Sequence, residues 1–226
     1  MKPITGSLVV AIDGPSGVGK GTVARAIARS LQWRYIDTGA MYRAVAWKIQ
    51  YEGRSLEDED GIVVVAKNAE FEMRDRGISI DGLDVTSVIR TPEIDNAATA
   101  VARIPQVRAL LVARQRGYAK VGPLVMEGRD IGTVVFPDAA VKIYLDATPE
   151  ERAVRRSKDP SHGLSKVGEI EVIANALERR DRLDRTRHAS PLTTASDAKV
   201  IDTTGVSIDS VVRRVLKIVN KQINKG

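Results

Sequence analysis

"AIDGPSGVGKGTVARAIARS" runs from Ala11 to Ser30 and decides the reading of the chain. It completes an apolar run, Leu8–Asp13, which predicts a buried parallel strand ending at a glycine-rich turn. Beyond the turn, Val23, Ala24, Ile27, Ala28 and Leu31 recur at helical spacing and predict a helix over Thr22–Leu31. Between them, Gly14-Pro15-Ser16-Gly17-Val18-Gly19-Lys20 has the spacing G-x-x-x-x-G-K, followed by Gly21-Thr22. Glycines let successive amide N–H groups converge on one point without a Cβ in the way, and the helix N-terminus adds its dipole. Lys20 then reaches the outer phosphates of a nucleotide. A turn that only joined strand to helix would not require strand, loop, lysine and helix in this order.

Outward from this stretch, Trp33–Asp37 predicts a second strand and Ala40–Tyr51 a second helix, the β-α-β-α start of a doubly wound sheet. The pattern then changes. "AEFEMRDRGISIDGLDVTSV" alternates apolar and polar residues, with turns at Arg76-Gly77 and Asp81-Gly82. It predicts a small antiparallel sheet in an inserted lobe over residues 55–100. Pro105–Val121 reads as a basic amphipathic helix, and Pro123–Gly128 and Val141–Ala147 as two further buried strands. Two helices follow, separated by a polar loop over residues 157–168 whose Asp-Pro and His-Gly predict a mobile segment. Ala198–Thr204 and Ser207–Asn224 predict the last strand and a closing helix. With no repeat or linker, residues 1–226 are expected to form a single α/β domain. Its fold class is a parallel sheet of the P-loop NTPase type, flanked by helices, with the small lobe inserted.

Composition narrows the chemistry. The 226 residues include no cysteine and only two histidines, His162 and His188. Disulfides, thiolate catalysis and a Cys- or His-based metal site are therefore excluded. The apolar runs are too short for a membrane span or a signal peptide, so a cytoplasmic protein without membrane association is expected, as a monomer. The formal net charge of +6 suits either nucleic acid or small polyanions. Aromatic residues make up only 4% of the chain, which disfavours base stacking along a nucleic-acid strand. The cations gather in motifs, not in a continuous stripe, so no nucleic-acid partner is expected.

Three arginine-bearing segments point to a second anion. "YIDTGAMYR" puts Thr38 and Gly39 at a helix start, with Arg43 about one turn later. "EGRDIGT" follows a predicted strand, so Arg129 and Asp130 fall where ligands gather in open parallel sheets. Glu127 stands where many phosphate-loop proteins keep an acid that supports Mg²⁺ through water. "RRDRLDRTR", Arg179 to Arg187, holds five arginines and two aspartates, with Arg180, Asp184 and Arg187 at i, i+4 and i+7 on one helix face. Arginine's planar fork suits phosphate and keeps its charge at neutral pH. Two terminal phosphates brought together repel: one unit-charge pair at about 4 Å is worth roughly 4 kcal/mol at an effective dielectric of 20. So many guanidiniums are needed for a phosphorylated acceptor, not for water.

With "IDGPSGVGKGT", "DTGAMYR", "IRTPEIDNAAT", "EGRDIGTVVFPDA" and "DRLDRTR" in that order, the chain resembles the bacterial cytidylate kinases, nucleoside monophosphate kinases, over about residues 7–205. The resemblance implies transfer of a phosphoryl group from ATP, with Mg²⁺, to CMP or dCMP, on a fold whose inserted lobe binds the monophosphate and whose 157–168 loop is a flexible lid. It implies ATP phosphates on Gly14–Thr22, with Lys20, Arg180 and Arg187 acting on the transferring group. Thr38, Arg43, Arg129 and Arg187 would hold the acceptor phosphate, Arg180 and Asp184 would lie near the sugar, and Thr99, Arg108 and Asp130 would read the base. No side chain is implied as a direct metal ligand. The arginine that closes over ATP is left open among Arg152, Arg155 and Arg156. Kinases of UMP, thymidylate or shikimate remain the neighbouring alternatives.

Overall fold

Strand β1 (Val9–Asp13) is buried at every residue because a parallel strand lies on each side of it. The computed structural model describes residues 8–75, 77–159 and 170–223. β1 is the centre of a five-stranded sheet with β2 (Arg34–Asp37), β6 (Leu124–Gly128), β7 (Val141–Asp146) and β8 (Lys199–Asp202). The order is β2-β6-β1-β7-β8, and every neighbouring pair is parallel. Register aligns Asp13 with Gly128, and Asp37 with Glu127, so the functional segments leave the sheet in one row at its carboxyl edge. That edge is where open α/β sheets receive ligands.

Helices cover both faces. Helix α1 (Lys20–Leu31) and the C-terminal helix α8 (Ile208–Ile223) pack Val23, Ile27, Val211 and Val215 against Ile12 and Ile143. On the other face, Val112 of α5 (Pro105–Tyr118) and Ile131 cover Ala11, Ile36 and Met126. α1 begins at Lys20, two residues before the apolar periodicity, because Gly19 supplies the cap at φ 91°.

Residues 59–101 hold α3 (Glu59–Asn68), the antiparallel strands β3 (Phe71–Arg74), β4 (Gly77–Ile80) and β5 (Leu83–Asp84), and α4 (Pro92–Val101). Asp81 and Gly82 turn between β4 and β5 with positive φ at both, as a tight hairpin requires. The apolar core of this insert is continuous with α2 (Thr38–Tyr51) and α5: Ile62, Ile80 and Ile94 pack with Met41, Ile49 and Leu111. α6 (Pro149–Ser157) and α7 (Ile170–Thr186) pack together beside the cleft. The expected lid loop falls, beyond Asp159, outside the described residues.

Candidate active site

The phosphate loop is shaped by close backbone approach. A Cβ on Gly14 would stand 2.1 Å from the Leu145 carbonyl oxygen of β7, so only glycine lets the chain leave β1 there. Lys20 folds back and donates to the Pro15 carbonyl at 2.7 Å. Burial, reinforced by Arg129, holds its ammonium well below the usual lysine value, down to about 7. Ser16 is gripped from three sides. Its amide donates to Asp181 Oδ1 at 2.8 Å, its hydroxyl accepts from Arg129 Nη2 at 2.7 Å, and its carbonyl accepts from Arg152 Nη1 at 3.0 Å. Arg152 also ion-pairs with the fully buried Asp181. Asp13, at the end of β1, accepts from the amides of Ile131 and Gly132 at 2.8 and 2.7 Å and so fixes the turn after Asp130.

Facing the loop, the row at the sheet edge presents two carboxylates. Asp37 caps α2 through the Ala40 amide and pairs with Arg90 at 3.2 Å. Burial pushes its carboxyl up, but Arg43 and Arg90 outweigh this and hold it below the usual range. Glu127 is raised by burial and by Asp37, against the pull of Lys20. Thr38 donates its hydroxyl to the Glu127 carbonyl at 2.8 Å, tying the start of α2 to β6.

The arginines converge as two adjoining groups. In the first, Arg43 of α2 and Arg180 of α7 meet the Asp95 carboxylate of α4 at 2.8 and 3.1 Å, with Arg156 of α6 at 3.7 Å. In the second, Asp184 accepts from Arg129 Nε at 2.9 Å and pairs with Arg187 at 3.2 Å, while Arg108 pairs with Asp130 at 2.5 Å. Arg187 also stands 3.9 Å from Asp130, joining the two pairs. Burial raises the Asp184 carboxyl, yet Arg129 and Arg187 outweigh it and hold it below the usual range. Arg108 Nε, Arg180 Nε and Arg187 Nη2 are buried without a hydrogen-bond partner among the described residues. Such donors fit an anionic or acceptor-rich ligand.

One cleft of about 1490 Å³ is lined by the phosphate loop, Thr38, Arg43, Arg108, Arg129, Asp130, Arg180, Asp184 and Arg187. Thr99 lines it as well, its hydroxyl bonded to the Asp95 carbonyl at 2.9 Å. The volume exceeds the ~300–1,000 Å³ usual for one small-molecule site. Every side chain marked in the sequence as a second-anion residue therefore lies on this cleft. Arg180 pairs through Asp95 with Arg43, while Asp184 pairs with Arg187, which follows the last residue of α7. The three arginines of α6 separate clearly. Arg152 is locked to Ser16 and Asp181, Arg155 donates to Val18 and Thr203, and Arg156 faces the Asp95 group. Asp13, Asp37, Asp95 and Asp181 fall inside the quoted motifs, but the sequence assigns them no role. Two carry a helical signal: Asp95 lies four residues before Thr99 and Asp181 three before Asp184, each pair on one helix face.

A parallel sheet, a phosphate loop and a cationic pocket opposite its lysine define a P-loop kinase. The fold matches an uncharacterized protein from Eubacterium ventriosum (TM-score 0.55, 12% identity, 95% of this chain and 99% of that one). It also matches a gluconokinase from Sinorhizobium meliloti (TM-score 0.51, 14% identity, 96% and 95%). Residues 10–221 match the sequence family described as cytidylate kinase, and the chain belongs to that family. Its relatives include the cytidylate kinase of Geobacillus sp. (strain WCH70), 45% identical over 95% of this chain and 97% of the relative. The cytidylate kinase of Pelotomaculum thermopropionicum is 46% identical over 92% and 93%. A bifunctional pantoate ligase/cytidylate kinase from Synechococcus sp. (strain WH7803) matches 92% of this chain with 44% of its own length.

Proposed function

We infer that the protein transfers the γ-phosphate of ATP to CMP or dCMP, giving ADP and CDP or dCDP. The observation that carries this reading is one cleft lined together by the phosphate loop with Lys20 and by five guanidiniums, Arg43, Arg129, Arg156, Arg180 and Arg187. The family membership of the chain supports the same acceptor.

The acceptor's phosphate is already an oxyanion, so no protein base is needed. The residues act by positioning and by spreading charge. The loop from Gly14 to Thr22 holds the donor phosphates, and Lys20 neutralises the group in transit. Arg43 and Arg180 draw the acceptor phosphate toward it, with Thr38 and Arg129 at its flank and Arg187 behind. Transfer in line between the two oxyanions needs no covalent enzyme intermediate. Arg156, on the lid-side helix, supplies the closing guanidinium that helps keep water from the γ-phosphate. Glu127, a carboxylate lining the cleft beside the phosphate loop, would hold Mg²⁺ through water. Such an ion needs one carboxylate and substrate phosphates and no all-protein cage, and it would supply charge that offsets the donor's. Among the described residues no cluster of three or more metal-binding side chains exists.

Base selection rests on Asp130 and Arg108. A carboxylate accepts from the cytosine N4 amino group, while a guanidinium donates to N3 and O2. Uracil places a carbonyl oxygen opposite Asp130 and is repelled. Asp184 is placed to accept from a sugar hydroxyl.

ADP release in a coupled assay across CMP, dCMP, UMP, thymidylate and shikimate tests the reading. CMP and dCMP are expected to exceed UMP in kcat/KM by about tenfold or more, since a good paired base contact is worth roughly 1–3 kcal/mol. Equal rates with UMP and CMP would refute the assigned role of Asp130.

A further inference from the structure

The anion-holding group already contains an anion. Asp95 lies in the first turn of α4, where a carboxylate facing solvent would satisfy the helix dipole. It instead reaches three guanidiniums from three other helices: Arg43 at 2.8 Å, Arg180 at 3.1 Å and Arg156 at 3.7 Å. Its side chain is only 17% exposed, and Arg43, Arg156 and Arg180 are 10, 14 and 17% exposed. Three cations so enclosed repel one another, and the Asp95 charge holds them together. Arg180 Nε still lacks a hydrogen-bond partner among the described residues, so an incoming oxygen can attach there before Asp95 leaves. Guanidinium forks accept carboxylate and phosphate in the same manner.

We infer that Asp95 is an internal surrogate for the acceptor's phosphate: it occupies the arginines in the free protein, and the incoming phosphate must displace it. The inference rests on the reading of this group as the acceptor-phosphate site. Its consequence is a binding threshold common to all phosphates. A small free oxyanion meets Asp95 with only its own charge to compete. A nucleoside monophosphate adds the Arg108–Asp130 contacts to its base and so takes the arginines over. Asp95 thus weakens every phosphate alike, and a ligand with base contacts as well still clears the threshold.

The test compares the unmodified protein with Asp95→Asn, which keeps shape and removes charge. Three ligands are used at saturating ATP or a non-transferable analogue: CMP, inorganic phosphate as a competitor of CMP, and cytidine. In Asp95→Asn, CMP and inorganic phosphate are expected to bind more tightly by a common factor of about ten or more, because the charged hydrogen bonds that Asp95 makes no longer compete. Cytidine, without a phosphate, is expected to bind unchanged. If a folded Asp95→Asn protein binds CMP and cytidine more weakly together, Asp95 is only a clamp and the inference fails. Unchanged CMP and phosphate affinities overturn it equally. Should the variant not fold, the ¹³C resonance of the Asp95 carboxyl in the unmodified protein decides. It is expected to move with CMP and with phosphate but not with cytidine, and a resonance indifferent to all three refutes the displacement. Failure of the unmodified protein to phosphorylate CMP would instead sink the proposed function, leaving the binding comparison to judge Asp95 separately.

Discussion

Lys20 shows how a single side chain couples chemistry to pH. In the free protein, burial and the neighbouring Arg129 hold its pKa down to about 7. A bound triphosphate reverses that balance, because the charged ammonium then faces several negative oxygens. Above pH 7 the free protein is increasingly neutral at Lys20, whereas the complex keeps the proton. ATP binding at pH 8 is therefore expected to take up close to one proton, and affinity is expected to fall as pH rises from 7 to 9. Calorimetry in buffers of different ionisation enthalpy measures the uptake; identical apparent enthalpies in all buffers would contradict it.

Among the elements, α7 does more than carry arginines to the cleft. Asp181 lies one turn before Asp184 on this helix, and the two carboxylates hold Arg152 and Arg129, both of which contact Ser16. Asp181 is fully buried and Arg152 nearly so. Removing one member of such a pair strands the other charge in the interior, at a cost of about 3–5 kcal/mol. Asp181→Ala is expected to lose that much in urea unfolding, while Arg185→Ala, on the same helix outside the strut, changes stability by less than about 0.5 kcal/mol. Equal losses for the two variants would show that the strut carries no special weight. Legibility differs between elements for related reasons. β1 and α1 were readable because a buried run, a glycine loop and helical periodicity follow one another without interruption. α3 and α4 were hidden by the strand-like alternation between them, although Thr91-Pro92 is a recognisable helix start: the Thr91 hydroxyl accepts from the Ile94 amide. Asp95 was less visible still, since its partners come from α2, α6 and α7, and no local pattern records such a meeting.

At the level of the whole molecule, sheet order accounts for the arrangement. Because β6 lies between β1 and β2, the turn bearing Arg129 and Asp130 stands directly between the phosphate loop and the start of α2. The sequence motifs identified these segments, and the strand order assembles them. Their clustered charge also governs the approach of ligands. A chain of formal net charge +6 whose buried arginines open onto one cleft sets up a funnel of positive potential. Nucleotides in bulk water are drawn along it before any contact forms. The Debye length shrinks from ~30 Å at 0.01 M salt to ~3 Å at 1 M, so capture should slow as ions are added. Raising salt is expected to depress kcat/KM for CMP severalfold while changing kcat little, which stopped-flow binding and steady-state rates together measure. The same funnel draws in every small polyanion of the solution, so crowding by unproductive visitors becomes a kinetic burden that this enzyme must shed between turnovers.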